Sequence, residues 1–399
     1  MSAERDSIGN VHSGRKTPEI RISGQRGRAG TALFGPAAVP VAMAKRDRIG
    51  AQPTGSGAHG RGHRLQRVCE LRRRDFICLL GAAAAWPLPL AAQPPDRVRR
   101  VGVLMSNAEG DPEGQARMNA LQQALAELGW KDGHNLRVTW RWSGGDVGRI
   151  RDYAAELAGL NPDLIIANGT PQVSAVRQQT RAIPMVFVLV NDPVAAGFIT
   201  NLARPGGNIT GFTFLEYSMV AKALEMLKEV APTVSRVAVM FNPKTYPFYD
   251  GHLPSFTEDA RKFSMEVVRA AVGSDSEIEE TVAGLAARPG SGLLVPPDTY
   301  TLAHRATIVK AAALNRLPAM YAYRQSVREG GLISYGADTI DVFRRSATYI
   351  DRILRGANPG ELPAQAPSKF ELVVNLKTAA ELGLTVSPTL LAVADEVIE

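Results

Sequence analysis

The stretch VGVLM, Val101–Met105, decides the fold class of this chain, because a short continuous apolar run is typical of a buried strand. The segment that follows, Gln115–Leu128, repeats its apolar residues at helical spacing and ends at Gly129, a common helix stop. Leu136–Trp142 then alternates in the manner of a strand. The order strand, helix, strand indicates an α/β protein with a parallel sheet that is covered on both faces.

The alternation pauses at residues 204–211, RPGGNITG, where one Pro and three Gly predict a turn or a crossing segment. Gly206 and Gly207 lack the Lys-Ser/Thr of a nucleotide loop, so positive φ is the better interpretation of this pair. The elements predicted between Trp142 and this pause are a helix at Gly148–Leu160, a strand at Asp163–Ala167, a helix at Pro171–Arg181 and a strand at Pro184–Val190.

A second unit of similar length follows the pause. Its predicted helices are Tyr217–Val230, Phe256–Phe263, Ser276–Ala287, Leu302–Leu314 and Ile340–Leu354, and its predicted strands are Arg236–Phe241, Met265–Ala270, Gly292–Val295 and Ala319–Ala322. We therefore expect two Rossmann-like lobes with parallel sheets and a hinge. In such sheets ligands lie beyond the carboxyl ends of the strands, and two facing sheets form a cleft that can close on a ligand.

The positive charge of the chain lies in its N-terminus. The 399 residues carry a formal net charge of +7, but residues 1–92 hold 15 Lys and Arg against 6 Asp and Glu, and the rest hold 31 against 33. The folded body is therefore mildly acidic, which argues against nucleic acid as a partner.

Residues 72–92, RRRDFICLLGAAAAWPLPLAA, combine a basic cluster, an apolar core and small residues at the end. This pattern predicts an export signal cleaved near Ala92, and the core is short for a membrane anchor. The pair Arg73-Arg74 fits a twin-arginine signal, although basic residues also suit the general export route. Residues 1–68 are predicted to be disordered, or to precede the true start codon, for which Met43 is one candidate. Both cysteines, Cys69 and Cys78, precede the cleavage point, which suits an oxidising compartment.

Several segments in the expected order resemble the solute-binding proteins of ABC importers. They are the export signal Arg72–Ala92 and residues 204–211, 330–336 (GGLISYG), 344–354 (RRSATYIDRIL) and 370–379 (FELVVNLKTA). Within these proteins the sequence resembles the branch whose better-understood members bind tryptophan or tyrosine. The resemblance implies a type I periplasmic-binding-protein architecture, with three crossing strands between the lobes. It also implies a periplasmic protein that delivers a small molecule to an ABC permease in the inner membrane.

The predicted organisation has four parts. Residues 1–92 are the N-terminal segment with the export signal at about 70–92, residues 99–211 are lobe 1, residues 212–328 are lobe 2, and residues 329–399 are crossing segments shared between the lobes. We expect a monomer with no cofactor.

The candidate ligand-binding residues of lobe 1 follow strand ends: Ser106, Asn107, Asn168, Gly169, Thr170, Asn191 and Asp192. Thr170 opens a helix whose backbone N–H groups suit a carboxylate, or it is only the helix N-cap with Pro171 at N1. Asp192 could accept a hydrogen from a ligand ammonium or hydroxyl, or it could be a turn residue ahead of Pro193. An amino acid or related carboxylate is the first hypothesis, because its two charges match these two positions.

In lobe 2, Asn242 and Asp298 end strands in the same way, and Asp298 could instead be a helix N-cap, as could Asp338 after residue 337. The aromatic candidates could stack on a ring-bearing ligand or pack in the core or hinge: Phe214, Tyr217, Tyr246, Tyr323 and Tyr335.

Nothing in the sequence points to catalysis. The histidines that follow the export signal, His134, His252 and His304, lack metal-ligand spacing and are predicted to lie on the surface. No Gly-x-Ser-x-Gly elbow is present. We expect no catalytic or metal-binding residue. An exported enzyme on a similar fold and a sensor subunit that presents a ligand to a receptor are the alternatives.

Overall fold

The computed structural model describes residues 97–214 and 217–399, and for residues 217 and 218 it describes the backbone without the side chains. The predicted export signal and the segment ahead of it lie outside the described residues. Within residues 97–214 and 217–399, every helix is too short or too polar to span a bilayer.

Lobe 1 contains a five-stranded sheet whose strands are all parallel. The strands are β1 (Arg99–Met105), β2 (Leu136–Trp142), β3 (Leu164–Asn168), β4 (Met185–Val190) and β5 (Ile209–Thr213), and the helices between them are α1 (Pro112–Glu127), α2 (Val147–Gly159) and α3 (Thr170–Gln179). The order in the sheet is β2-β1-β3-β4-β5. Every residue of β3 and β4 is buried, as expected for parallel strands with both faces covered.

Lobe 2 contains a seven-stranded sheet. Its strands are β6 (Arg236–Phe241), β7 (Glu266–Ala271), β8 (Ser291–Val295), β9 (Ala319–Tyr321), β10 (Ile333–Ala337), β11 (Phe370–Asn375) and β12 (Glu396–Ile398). The order β7-β6-β8-β9-β10 repeats the order of lobe 1, and β11 and β12 extend the sheet beyond β10. Strand β11 runs antiparallel to β10, while the other neighbouring strands are parallel.

The helices of the second half of the chain are α4 (Tyr217–Val230), α5 (Tyr249–Lys262), α6 (Asp275–Ala286), α7 (Thr299–Ala303), α8 (Arg305–Leu314), α9 (Arg324–Arg328), α10 (Thr339–Leu354), α11 (Leu376–Glu381) and α12 (Pro388–Ala392), and a short 3-10 helix spans Pro359–Glu361. Helix α10 belongs to lobe 1, because Val342, Phe343 and Ile350 lie in one core with Val103 and Phe212. Lobe 1 is therefore completed by residues that follow lobe 2 in the sequence.

The chain crosses between the lobes three times, after β5, between β10 and α10, and ahead of β11. Together with the repeated strand order, these crossings confirm the two-lobed α/β architecture of the type I periplasmic-binding proteins. Residues 329–399, which we predicted as shared crossing segments, are divided between the lobes: β10, β11 and β12 join the sheet of lobe 2, and α10 packs on lobe 1.

Residues 204–208 form a turn within lobe 1 and residues 209–211 begin β5, so the interpretation of this segment as a crossing is wrong. Gly206 and Gly207 have φ of 75° and 66°, as predicted, and the N–H of Gly206 donates to the carbonyl oxygen of Gly360 at 3.1 Å. The segment leads into β5, and the chain leaves lobe 1 only after that strand.

Two helix predictions were also wrong. Helix α5 begins at Tyr249, not at Phe256, and contains Pro254 near its start. Pro254 is the sixth residue of the helix and has no N–H, so the hydrogen bond to the carbonyl oxygen of Asp250 is lost there. The helix predicted at Leu302–Leu314 is two helices, α7 and α8, which meet at His304.

Candidate functional site

The strand order brings four of the predicted residues together in two equivalent pairs. In each lobe the first and third strands are neighbours, β1 with β3 and β6 with β8, and a crevice opens at their carboxyl ends. In lobe 1 the hydroxyl of Ser106 donates to Asn168 Oδ1 at 2.7 Å. In lobe 2 the backbone N–H of Asn242 donates to Asp298 Oδ2 at 2.9 Å.

A cavity that we call the inner cavity lies between these strand ends and measures about 10 Å³, room for about one water molecule. Seven predicted residues line it: Ser106, Asn168, Gly169, Thr170, Asn191, Asp298 and Tyr323. Six further residues that line it were not among the candidate ligand-binding residues: Arg117, Pro171, Leu189, Thr245, Pro297 and Thr299.

Helix α3 presents an uncapped N-terminus to the inner cavity. Its N-cap is Gly169, with φ 101° and ψ 158°, and no side chain caps the helix. The prediction that Thr170 could be the N-cap is therefore wrong, because Thr170 is already the first helical residue and Pro171 the second. Since glycine cannot cover the first N–H groups, they remain suited to an anion or a polar ligand group.

Asp298 is the N-cap of α7, as the alternative interpretation predicted, and it also lines the inner cavity. Its carboxylate accepts hydrogen bonds from the N–H groups of Asn242 and Tyr300 and from the hydroxyl of Thr245. Burial raises the pKa of the Asp298 carboxyl, and these hydrogen bonds oppose the increase. A cation beside this carboxylate would favour its ionised form.

Two direct contacts near the cavity join the lobes. The side-chain amide of Asn191 donates to the carbonyl oxygen of Pro297 at 2.7 Å. Farther along, Arg305 Nη2 of α8 lies 2.8 Å from Asp111 Oδ2 at the start of α1. These contacts hold the lobes in the closed arrangement.

Asp192 makes a third contact between the lobes and does not line the inner cavity. Its Oδ1 accepts from the N–H of Ala195 at 2.8 Å, and its Oδ2 lies 3.5 Å from His252 Nε2. The prediction that His252 lies on the surface is wrong: it is 4% exposed, and its Nδ1 is 2.9 Å from the hydroxyl of Tyr246. Burial lowers the pKa of His252, and Asp192 opposes this effect.

Of the aromatic candidates whose side chains the structure describes, only Tyr323 reaches the inner cavity, and burial raises the pKa of its hydroxyl. Phe214 is buried against the Tyr323 ring at 5.1 Å, and Tyr246 is buried among Phe241, Tyr249 and His252. Tyr335 stacks on Phe370 at 5.9 Å. The backbone of Tyr217 begins α4, and its side chain lies outside the described atoms.

The remaining polar candidates support neighbouring groups. Asn107 accepts a hydrogen bond from Arg117 Nη1 at 3.0 Å and donates to Asp111 Oδ1 at 3.2 Å. Asn242 Oδ1 accepts from the N–H of Lys244 at 2.8 Å and shapes the turn after β6. Asp338 is the N-cap of α10, accepting from the N–H of Asp341 at 2.9 Å, as its alternative interpretation predicted.

Arg117 and Leu189 line the inner cavity but were not predicted from the sequence, and only Arg117 had a signal that could have identified it. Arg117 is fully buried on the face of α1 that also carries Leu121 and Ala124, so a cation at an apolar position of the helix was a detectable signal. Leu189 has φ 58°, and the pairing of β4 with β5 shifts register beside it. Such strained backbone collects at functional sites, but its sequence here is an ordinary apolar strand.

A larger cavity, the outer cavity, measures about 400 Å³ and adjoins the inner cavity at Thr170, Pro171 and Thr245. Apolar side chains from both lobes line most of it: Val147, Ile150, Phe198, Pro247 and Phe248. Its charged side chains are the cations Arg151 and Lys244, and its lining contains no acidic residue. The polar inner cavity and the mainly apolar outer cavity thus share these three lining residues. Within residues 97–214 and 217–399, no three His, Cys, Asp or Glu residues gather as a metal site.

Comparison with known proteins identifies the family. Residues 104–398 match the model of the family described as ABC transporter substrate binding protein. A curated relative, the tyrosine-binding protein of Clostridioides difficile (strain R20291), is 27% identical over 262 residues, 66% of this chain and 75% of the relative. The chain belongs to the family of ABC transporter substrate-binding proteins. It is therefore a solute-binding protein, as the resemblance of its motifs implied.

Two solved structures allow the arrangement of the lobes in this chain to be compared with a ligand-bound and with an open form. A domain from Streptococcus pneumonia in complex with L-Trp has a TM-score of 0.70 and 26% identity, covering 75% of this chain and 99% of that chain. The ligand-free, open structure of a substrate-binding protein with adhesive properties from Clostridium difficile has a TM-score of 0.57 at the same 26% identity and the same coverage of 75% and 99%. The present chain thus resembles the L-Trp complex more than the open structure, in agreement with its small inner cavity.

Proposed function

We propose that this protein is exported to the periplasm, captures an amino acid with a large apolar side chain between its lobes, and delivers it to the permease of an ABC importer in the inner membrane. It acts as a monomer and without catalysis. The observation that carries the proposal is the junction of the two cavities at Thr170 and Thr245. A ligand with a polar head and an apolar side chain fits a polar cavity that adjoins an apolar one.

The head of the ligand binds to the polar walls of the inner cavity. In this structure the cavity has room for about one water molecule, so the lobes separate slightly to admit the carboxylate and the ammonium group. Lobe 1 offers the uncapped start of α3 to a carboxylate, and lobe 2 offers the buried carboxylate of Asp298 to an ammonium group. Asp298 replaces Asp192 in this assignment, because Asp192 faces His252 instead of the inner cavity.

The apolar side chain of the ligand occupies the outer cavity. A volume of about 400 Å³ lies within the usual range of small-molecule sites. Phe198 of lobe 1 and Phe248 of lobe 2 provide aromatic walls, which suit a ring. Relatives that bind tyrosine and L-Trp support an aromatic amino acid as the ligand.

A thermal-shift and calorimetry screen tests the proposal. The chain from Gln93 to Glu399, refolded to remove bound ligand, is screened against the amino acids, aromatic acids, nucleosides and sugars. Stabilisation by tryptophan or tyrosine, with no shift from alanine or glycine, is expected, because a ligand of the native state raises the unfolding temperature. Recovery of the ligand unchanged supports a binder over an enzyme. Stabilisation by a sugar or nucleoside alone would contradict the proposal.

A matched pair of variants assigns the outer cavity. Phe248 and Phe263 are both half-buried against the core of lobe 2, but only Phe248 lines the outer cavity. Phe248→Ala should weaken binding of the aromatic amino acid by about tenfold, the scale of a lost aromatic contact. Phe263→Ala should leave the affinity unchanged. Equal affinities of the two variants would remove the outer cavity from the site.

A further inference from the structure

Arg117 is a buried cation whose hydrogen-bonding capacity is not fully used. The side chain has 0% exposure. Its Nη1 donates to Asn107 Oδ1 at 3.0 Å, and its Nε donates to Thr339 Oγ1 at 3.1 Å. Among the described residues its Nη2 has no hydrogen-bond partner. A buried guanidinium nitrogen without a partner is costly, so a ligand that pairs with it gains by doing so.

Among the described residues, no carboxylate accepts a hydrogen bond from this guanidinium. The nearest carboxylate, that of Glu113, lies 3.9 Å from Nε and accepts a hydrogen bond from Thr339 at 2.8 Å. Glu113 also pairs with Arg324 Nη2 at 3.3 Å, so two arginines share one carboxylate. Both groups that hold Arg117 directly, Asn107 and Thr339, are neutral. The inner cavity therefore has a fixed positive group in its wall.

We propose that the guanidinium of Arg117 binds the carboxylate of the ligand through Nη2, an assignment that rests on the proposed function. Asn107 and Thr339 fix two of its nitrogens, so the third is oriented before the ligand arrives. Thr170, at the start of α3, lines the same cavity, and the N–H groups of that helix start donate to the same carboxylate. Because Thr339 begins α10 directly after a crossing between the lobes, the anion is held beside the hinge.

The test compares an acid with its amide. L-tryptophan and L-tryptophanamide differ in the carboxylate, so the ratio of their affinities measures how strongly the site recognises that group. Wild-type protein should prefer the acid by about 10- to 100-fold, the range for a hydrogen bond to a charged group. Arg117→Gln should lose most of this preference through weaker binding of the acid, and Arg117→Lys, which keeps the charge, should retain part of it.

Arg324→Gln is the matched control, since Arg324 is in the same buried cluster, pairs with Glu113 and Glu371, and does not line the inner cavity. It should lower the unfolding temperature and leave the acid-to-amide ratio unchanged. An unchanged ratio in Arg117→Gln, or in Arg117→Lys if the first variant does not fold, would overturn the proposal.

A second measurement separates this proposal from the proposed function. Formate is the smallest carboxylate, and its effect on the unfolding temperature is compared with that of chloride at equal ionic strength. If wild-type protein binds no tryptophan but is stabilised by formate only when Arg117 is present, the aromatic ligand is wrong and the Arg117 site stands. If tryptophan binds but neither tryptophan nor formate distinguishes wild type from the Arg117 variants, the Arg117 proposal is wrong and the proposed function stands. If neither tryptophan nor formate stabilises the wild-type protein, both proposals are wrong.

Discussion

The side-chain amide of Asn191, at the end of β4, donates a hydrogen bond of 2.7 Å to the carbonyl oxygen of Pro297, which lies just beyond β8 in the other lobe. The two residues meet only when the lobes are closed, because they belong to different sheets. This bond therefore contributes to the closed form and not to the stability of either lobe alone.

We expect Asn191→Ala to weaken ligand binding about fivefold, because one net hydrogen bond is worth about 1 kcal/mol. Calorimetry with the identified ligand measures the change. Asn315→Ala is the control: its amide donates to the carbonyl oxygen of Ala311 at 2.9 Å within α8. The control should change the unfolding temperature and not the affinity. Equal losses of affinity in both variants would show that Asn191 has no specific role in closure.

Gly169→Ala should abolish closure on a ligand. The backbone at this residue, φ 101° and ψ 158°, is essentially restricted to glycine and costs about 1–3 kcal/mol for other residues. A Cβ here would also lie 2.7 Å from Gln172 Oε1 and 3.1 Å from Thr299 Oγ1, and Thr299 belongs to the other lobe. Affinity, measured by calorimetry, should therefore fall by at least tenfold.

Gly133→Ala separates backbone strain from the contact with Thr299. Gly133 also has positive φ, 81°, but a Cβ there would meet nothing within 4 Å. This variant should lower the unfolding temperature while ligand affinity stays at the wild-type value. A similar loss of affinity in both glycine variants would contradict the role assigned to Gly169.

His252 should make the protein less stable in mildly acidic solution. Burial lowers its pKa in the folded state, so the unfolded chain binds a proton more readily, starting near the ordinary value of about 6.5. Stability from the neutral imidazole is complete above that pH and is lost as the pH falls towards the lowered pKa.

Unfolding temperatures between pH 7.5 and 5.5 test this expectation. The difference between wild type and His252→Gln should shrink or reverse as the pH falls, because the variant has no imidazole to protonate. His304→Gln is the control, since His304 is partly exposed beside Asp275. A difference between wild type and His252→Gln that does not vary with pH would exclude the effect.

The ion pair of Asp111 with Arg305 should also favour the closed form. Asp111 Oδ2 and Arg305 Nη2 are 2.8 Å apart across the lobes, so the two side chains pair only when the lobes are closed. Arg305→Gln removes the charged partner of Asp111 and should therefore destabilise the closed form. A hydrogen bond to a charged group is worth about 1.5–3 kcal/mol, so affinity should fall by about 10- to 100-fold. At a ligand concentration that saturates the wild-type protein, small-angle X-ray scattering should show a larger radius of gyration for Arg305→Gln than for wild type.

Arg328→Gln is the matched control for that variant. Arg328 pairs with Glu396 at 2.7 Å, and both residues belong to lobe 2. Its loss should affect neither the radius of gyration nor the affinity. Unchanged scattering in Arg305→Gln would show that the ion pair does not contribute to closure.

Most of the fold was predictable, because its elements follow local periodicity. Leu136–Trp142, Tyr217–Val230 and Arg236–Phe241 have the predicted bounds, and each has a clear alternating or helical pattern. The start of helix α5 was mispredicted, because Pro254 usually breaks a helix but is accommodated here as the sixth helical residue. The same missing segment contains His252, whose burial follows from its place in that helix.

The site was predictable as far as strand order determines it. Ser106 and Asn168 stand at the ends of neighbouring strands in the sheet of lobe 1, and Asn242 and Asp298 do so in lobe 2. The approach within each pair therefore follows from an α/β sheet. Arg117 lies in the interior of helix α1. Its place in the wall of the inner cavity depends on the packing of α1 against α10 and lobe 2, which the sequence does not reveal. The partner of Asp192 was equally hidden, because His252 is brought to it by a different lobe.

Helix α10 has a consequence for how the chain is made. The face of lobe 1 that contains Val103 and Phe212 is covered by Phe343 and Ile350, which leave the ribosome long after β5. A nascent chain that ends before Thr339 therefore exposes apolar surface on lobe 1 while lobe 2 still lacks β11 and β12. Neither lobe is one uninterrupted stretch of the chain, and both sheets have all their described strands only after β12 has been synthesised.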